Sequence, residues 1–226
     1  MVLRKLSFPI YILLFTLLFI TQSCDKKTQN QPLKEKDLTQ INNLLAIGHK
    51  HYKNEKLDSS YYYFNKAKIA AEIKKDTSRI INSICWLAQI QRNQGDYTGG
   101  EATAVEALPF LENTNKFPNG RWNIYNELGN NYLFTFDNDN ALYYFNKALN
   151  LKTDPIEKAG MKNNIALVQL EQGRYHNAIR ILYPLTLKKE VIDNAETNSR
   201  ILNNLGYCFY KTGNLKALDY LNKALK

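Results

Sequence analysis

The chain has 226 residues, 44% hydrophobic and 23% charged, which excludes a wholly disordered protein and fits one compact domain or one short repeat array. With only 6 Pro and 10 Gly, long helices are allowed and turn-rich β architectures are disfavoured. The formal charge is +9, but the basic residues are spread along the chain, as on a solvated helical surface, rather than clustered as a nucleic-acid partner would require.

The first 23 residues read as an export signal. Arg4 and Lys5 open it, and Phe8 to Ile20 follow as 13 residues with no charge and only Thr16 as a strong polar group. Such a run spans about 20 Å as a helix, short of the roughly 30 Å hydrocarbon core. A signal-peptide h-region has this length; a short uncleaved anchor is the alternative. Thr21-Gln22-Ser23-Cys24 comes next. It resembles the lipobox of bacterial lipoproteins, with Ser23 as the small residue before the Cys, although Thr21 stands where Leu is usual and Gln22 is not small. The resemblance implies lipidation of Cys24, which becomes the new N-terminus, and a lipid-anchored location in the bacterial cell envelope. Ordinary cleavage nearby, leaving Cys24 free, is the alternative. Acyl chains contribute about 0.8 kcal/mol per buried CH2, so a multiply acylated Cys stays on a membrane essentially permanently. Asp25 resembles an inner-membrane retention signal of some bacteria, and which membrane is involved stays open. Residues 24–36 lack apolar periodicity and read as a flexible tether. Loss of Arg4 and Lys5 leaves the mature chain at +7, and export makes nucleic acid the wrong partner.

Residues 37–226 repeat themselves. A first unit opens near Ile41, with Gly48, Phe64 and Ala67. A second opens near Ile81, with Leu87-Ala88, Gly95, Ala104 and Ala107. The third, from Trp122, carries Leu128-Gly129, Ala141, Phe145 and Ala148. The fourth, from Ala159, carries Ile165-Ala166, Gly173, Ala178, Leu182 and Leu185. The fifth, from Ser199, carries Leu205-Gly206, Gly213, Ala217, Leu221 and Ala224. In each second helix the marked positions recur at i, i+4, i+7, one apolar stripe. The small residue after Leu lets the two helices approach closely, and a turn Gly in the left-handed region ends the first helix.

These units resemble tetratricopeptide repeats (TPRs), each a helix A and a helix B. Their spacing exceeds the family norm of about 34 residues, as in the kinesin-light-chain-like branch. Ser60 and Gly100 stand where Ala is usual, Glu55 and Phe136 replace the turn Gly, Pro184 should distort the end of the fourth helix B, and the fifth turn is one residue short. The resemblance implies an all-α, right-handed α-α superhelix of about five helical hairpins, with helix A residues lining a concave wall. One repeat cannot bury its apolar face alone, so stacking builds the core.

No Gly-rich phosphate loop, nucleophile–base pair or acid/base couple stands out, so neither an enzyme nor a cofactor is expected. His49 and His51 sit two apart on a helix, the wrong spacing for a shared metal, and His176 falls in a turn. Cys85 and Cys208 lie three repeats apart, too far for a disulfide, and read as buried thiols. Asn126, Asn163 and Asn203 occupy one helix A position in three consecutive units, Asn164 and Asn204 the next, and Asn130 lies one turn on. An Asn side chain offers both a donor and an acceptor. The column resembles the asparagine ladders of peptide-binding TPR proteins, which implies pairing with the backbone of an extended peptide. Asn that merely caps or solvates the helix is the alternative. Lys53, Arg92, Arg200, Tyr207, Tyr210 and Lys211 fall at further groove-facing positions.

The expected function is a membrane-tethered extracytoplasmic scaffold that binds a protein or peptide in its concave groove. A rival reading is the sensor portion of a TPR-containing bacterial signalling regulator, with transmembrane and output segments lying beyond Lys226. The fifth helix B leaves Tyr210, Leu218, Leu221 and Leu225 as an expected uncovered face, favouring self-association or partner docking through the C-terminal repeat.

Overall fold

A computed structural model describes residues 35–111 and 116–225. The expected signal segment, Cys24 and nearly all of the expected tether lie outside them. Twelve α-helices and no strands are present among the described residues. Five hairpins follow one another: α1 (Glu35–Lys53) with α2 (Leu57–Ile73), α3 (Thr77–Asn93) with α4 (Tyr97–Val105), α6 (Pro118–Phe134) with α7 (Asn138–Leu149), α8 (Pro155–Glu171) with α9 (Tyr175–Leu182), and α11 (Ala195–Lys211) with α12 (Ala217–Ala224). Short helices α5 (Leu108–Leu111) and α10 (Lys189–Ile192) extend the second and fourth hairpins. The second helix of each of the first four hairpins packs on the first helix of the next, and α3 also packs on α6 and α8 on α11. The result is a right-handed superhelix of TPR type.

The local chemistry accounts for the punctuation. Asp76, Asp96, Asp137, Asp154 and Asn194 cap the helices that follow them, each side chain accepting a backbone N–H within the first turn. Gly95, Gly173 and Gly213 take positive φ between paired helices, and Glu55 (φ 57°) and Phe136 (φ 63°) hold the same conformation in the repeats without that Gly. The turn geometry is therefore set by the fold and costs the first and third repeats some strain. Pro184 ends α9 at Leu182, and the chain continues as a 3-10 turn over Tyr183–Leu187. His176 is not in a turn but in the first turn of α9.

Size matching across each hairpin sets the core. Gly48 faces Phe64, Gly129 faces Phe145 and Gly206 faces Leu221. The fourth repeat instead has Ala166 with Leu182, and the second Ala88 with Ala104. Phe on helix B is met by Gly on helix A, Leu by Ala or Gly, and Ala by Ala, so no pair is large on both sides. Ser60 replaces the usual Ala by donating its buried hydroxyl to the Gly48 carbonyl at 3.0 Å. Gly100 leaves room for Asn131, whose Oδ1 would lie 2.5 Å from a Cβ there. Cys85 and Cys208 are both buried free thiols. His49 packs edge-on against Phe64 and Trp86, and His51 stacks on Tyr63.

The fifth hairpin departs from the others at its turn. Its helix B starts only at Ala217, after Leu215 and Lys216 form an extra turn, and Leu215 is fully exposed. Leu218 and Leu225 are 67% and 87% exposed, whereas the matching Leu142 and Leu149 of α7 are half-buried against the core. Leu221 differs from the expectation: it turns inward onto Gly206 and does not join the exposed face.

Candidate functional site: a polar groove along the first helices

Four helix A segments, α3, α6, α8 and α11, line a cavity of about 570 Å3, with Arg92, Trp122, Asn126, Asn130, Asn164 and Arg200 among its walls. The same register that places these residues also ties consecutive repeats together. Between α3 and α6, Arg92 Nε donates to Glu127 Oε2 at 3.1 Å. Asn164 Nδ2 then donates to Asn126 Oδ1 at 3.1 Å, linking α8 to α6, and Asn204 Nδ2 to Asn163 Oδ1 at 2.9 Å, linking α11 to α8. Glu127 stands ten residues after its N-cap, where the fourth and fifth repeats have Asn164 and Asn204. The asparagine column is thus the continuation of a charged rung, and the rungs hold helix A to helix A.

The residues of the expected ladder have different surroundings. Asn163 and Asn164 are 1% and 5% exposed, so neither is a free groove residue. Packing of α8 between its neighbours buries both, because adjacent positions on one helix face opposite repeats. Asn126 and Asn204 are half-buried and each spends one polar atom on a rung. Asn130 is half-buried and lines the cavity. Arg92 lines it too, but its Nε is engaged by Glu127. Asn203 occupies the register of buried Asn163 and is exposed on α11. Tyr207 and Lys211 are exposed further along the same helix, with Lys211 Nζ 5.4 Å from the Tyr207 ring centre.

Sequence reasoning missed Glu127 and Trp122. Glu127 is buried, and burial pushes its carboxyl above the usual range, opposed by the charge and hydrogen bond of Arg92 and by a hydrogen bond from Asn130. Its signal in the sequence was one acid in a column of asparagines. Trp122 lies at the groove floor, with Lys152 Nζ 4.7 Å over its ring and Lys152 also paired to Glu157 at 2.8 Å. The groove therefore presents amide donors and acceptors, the Arg92–Glu127 and Lys152–Glu157 ion pairs and an aromatic floor, the equipment of recognition. Among the described residues no three His, Cys, Asp or Glu side chains converge as a metal site.

Residues 123–155, which run from α6 through α7 to the start of α8, match the tetratricopeptide repeat family model. A search of curated proteins finds no match. Among solved structures, the nearly identical TPR-like repeats of a protein described as a kinesin light chain from Podospora anserina superpose with a TM-score of 0.69 at 9% identity, over 85% of this chain and 95% of that one. The Rap conjugation gene regulator of plasmid pLS20, solved in complex with the Phr* peptide, gives a TM-score of 0.68 at 13% identity, over 95% of this chain and 62% of that one. BtubC from P. vanneervenii gives 0.56 at 19% identity, over 82% and 72%. At these identities the likeness is one of fold. Residues 123–155 are a tetratricopeptide repeat, and the described residues form a helical scaffold of the tetratricopeptide-repeat fold.

Proposed function

We propose that the groove holds an extended segment of a partner protein or peptide and that a lipid on Cys24 keeps the scaffold on a membrane outside the cytoplasm. The observation that carries the groove reading is the cavity of about 570 Å3 walled by four successive helix A segments, with Asn130 and Arg200 presenting polar groups to it. Backbone amides of an extended peptide need donors and acceptors of that kind. The Phr* peptide in the Rap regulator supports a peptide as the ligand of such an array. That regulator also favours the sensor reading, in which the same groove controls an output segment joined to the repeats. No residue among those described is proposed to act in catalysis.

Peptides selected from a random phage-displayed library on the full chain test the groove. An Asn130→Ala, Arg200→Ala double variant is expected to bind the selected peptides about tenfold or more weakly, the cost of losing a hydrogen bond and a charged contact. Equal binding to both proteins sinks the reading.

The tether reading rests on the Cys24 motif, and the apolar outer face of α12 suggests a second contact surface through which the C-terminal repeat self-associates. Cys24→Ser is expected to abolish labelling by an alkyne fatty acid and to release the chain into the soluble fraction. The released chain should sediment as a dimer at tens of micromolar and as a monomer after Leu218→Lys. Unlabelled wild type that stays membrane-bound defeats the lipid reading, and a monomeric Cys24→Ser chain defeats self-association.

A further inference from the structure

Gly160 is the one glycine whose missing side chain nothing in the fold requires. Gly95, Gly173 and Gly213 sit at positive φ. A Cβ on Gly48, Gly100, Gly120, Gly129 or Gly206 would approach a neighbouring side chain to 3.1 Å or less, and Gly99 lies under the Asp96 carboxylate that caps its helix. Gly160 has ordinary helical backbone inside α8, and a Cβ there would meet nothing within 4 Å. A glycine inside a helix is less stable than alanine. Six residues after the N-cap, where Gly160 stands, the second, third and fifth repeats carry Asn82, Asn123 and Arg200. The position therefore accepts a side chain elsewhere in the array and is bare here.

The bare position opens into the groove. Gly160 lines it together with Trp122, Ile156 and Met161, and Asn126 and Arg200 stand on its polar rim. Met161 is buried, and Trp122 and Ile156 are half-buried. These four residues make the apolar part of an otherwise polar cavity. We propose that Gly160, Trp122, Ile156 and Met161 form a subsite for one apolar side chain of the bound peptide, with the missing Cβ of Gly160 leaving the space that side chain fills. The subsite deepens the groove reading and rests on it. The peptide backbone is matched by the polar rim, and the anchor residue is chosen by the apolar floor, the usual division of labour in a concave site.

Capped amino acids probe the subsite without any knowledge of the natural ligand. N-acetyl-leucinamide and N-acetyl-tryptophanamide, titrated at millimolar concentration into the full chain, should shift the Trp122 indole N–H and Gly160 amide resonances. The indole of Trp86, packed against Phe64 in the first core cluster, serves as internal control. N-acetyl-lysinamide and N-acetyl-aspartamide should leave all three unmoved. Gly160→Ala is expected to raise Tm by about 3 °C, because alanine is the better helix former in open space. It should also weaken the apolar probes, and Gly160→Leu should weaken them about tenfold or more. Absence of a Trp122 shift in the wild type overturns the subsite, as does an undiminished shift in Gly160→Leu. A lower Tm in Gly160→Ala overturns it too, by making the glycine structural. The wider groove reading fails separately, when the library peptides ignore Asn130→Ala, Arg200→Ala.

Discussion

Gly129→Ala is expected to destabilise the fold by about 3 kcal/mol, and Phe145→Leu in the same chain to restore most of that loss. The added Cβ would lie 2.5 Å from Phe145 Cδ1, and both residues are fully buried. The ring has no open side to retreat to, since Ala141 and Ala148 on its own helix and Leu133 and Val168 belong to the same buried cluster. Overpacking of this kind typically costs 1–3 kcal/mol. The remedy is already present one repeat on, where Ala166 and Leu182 hold the corresponding positions. Phe145→Leu alone should cost about 1–2 kcal/mol through the space it leaves. The double variant should come within about 1 kcal/mol of wild type, a strongly non-additive pair. Urea unfolding midpoints at constant slope measure all three. A Gly129→Ala chain that unfolds at the wild-type midpoint would mean that α6 and α7 do not approach this closely.

That size rule was legible in the sequence because it is local. The Gly or Ala of helix A and the Phe or Leu of helix B lie within one repeat, and their periodicity shows on the page. The left-handed turns at Glu55 and Phe136 were legible for the same reason: alignment with Gly95 and Gly173 assigns the conformation even where the residue disfavours it. The rungs were not legible. Arg92 meets Glu127 across 35 residues of chain, Asn126 meets Asn164 across 38, and Asn163 meets Asn204 across 41. Whether a polar residue on helix A points into the groove or at the next repeat depends on the rotation between repeats, which no single repeat encodes. The same column of asparagines reads as a ligand ladder in the sequence, and in the fold Asn163 and Asn164 lie buried between repeats. Gly160 was invisible for the opposite reason. A glycine in a helix draws notice only once the other glycines have been given a structural cause.

Arg92→Ala is expected to cost about 4 kcal/mol at neutral pH, and progressively less as the pH is lowered. Removing one member of a buried pair strands the other charge, typically at 3–5 kcal/mol. The Arg92 and Glu127 side chains are only 17% and 6% exposed, so water screens neither well. Glu127 already has its carboxyl raised by burial, with Arg92 opposing the rise. The sign follows from proton binding. A carboxyl that holds its proton more tightly in the folded chain contributes stability fully present below the unfolded value, and that contribution is lost as pH rises through the folded value. Without Arg92 the folded value moves higher still, so the loss, which begins at the unfolded value in both chains, continues to a higher pH and grows larger in the variant, and Glu127 is neutralised more readily on acidification. The gap between Arg92→Ala and wild type should therefore be widest near pH 7 to 8 and narrow toward pH 5. Glu127→Gln added to Arg92→Ala should remove most of this pH dependence and recover part of the stability at pH 7, because no charge is then left buried. Urea midpoints of the three chains between pH 5 and 8 decide the matter. A gap that stays constant or widens in acid would show that Glu127 is not ionised in the folded protein, and the rung between α3 and α6 would then be a neutral hydrogen bond like the two asparagine rungs that follow it.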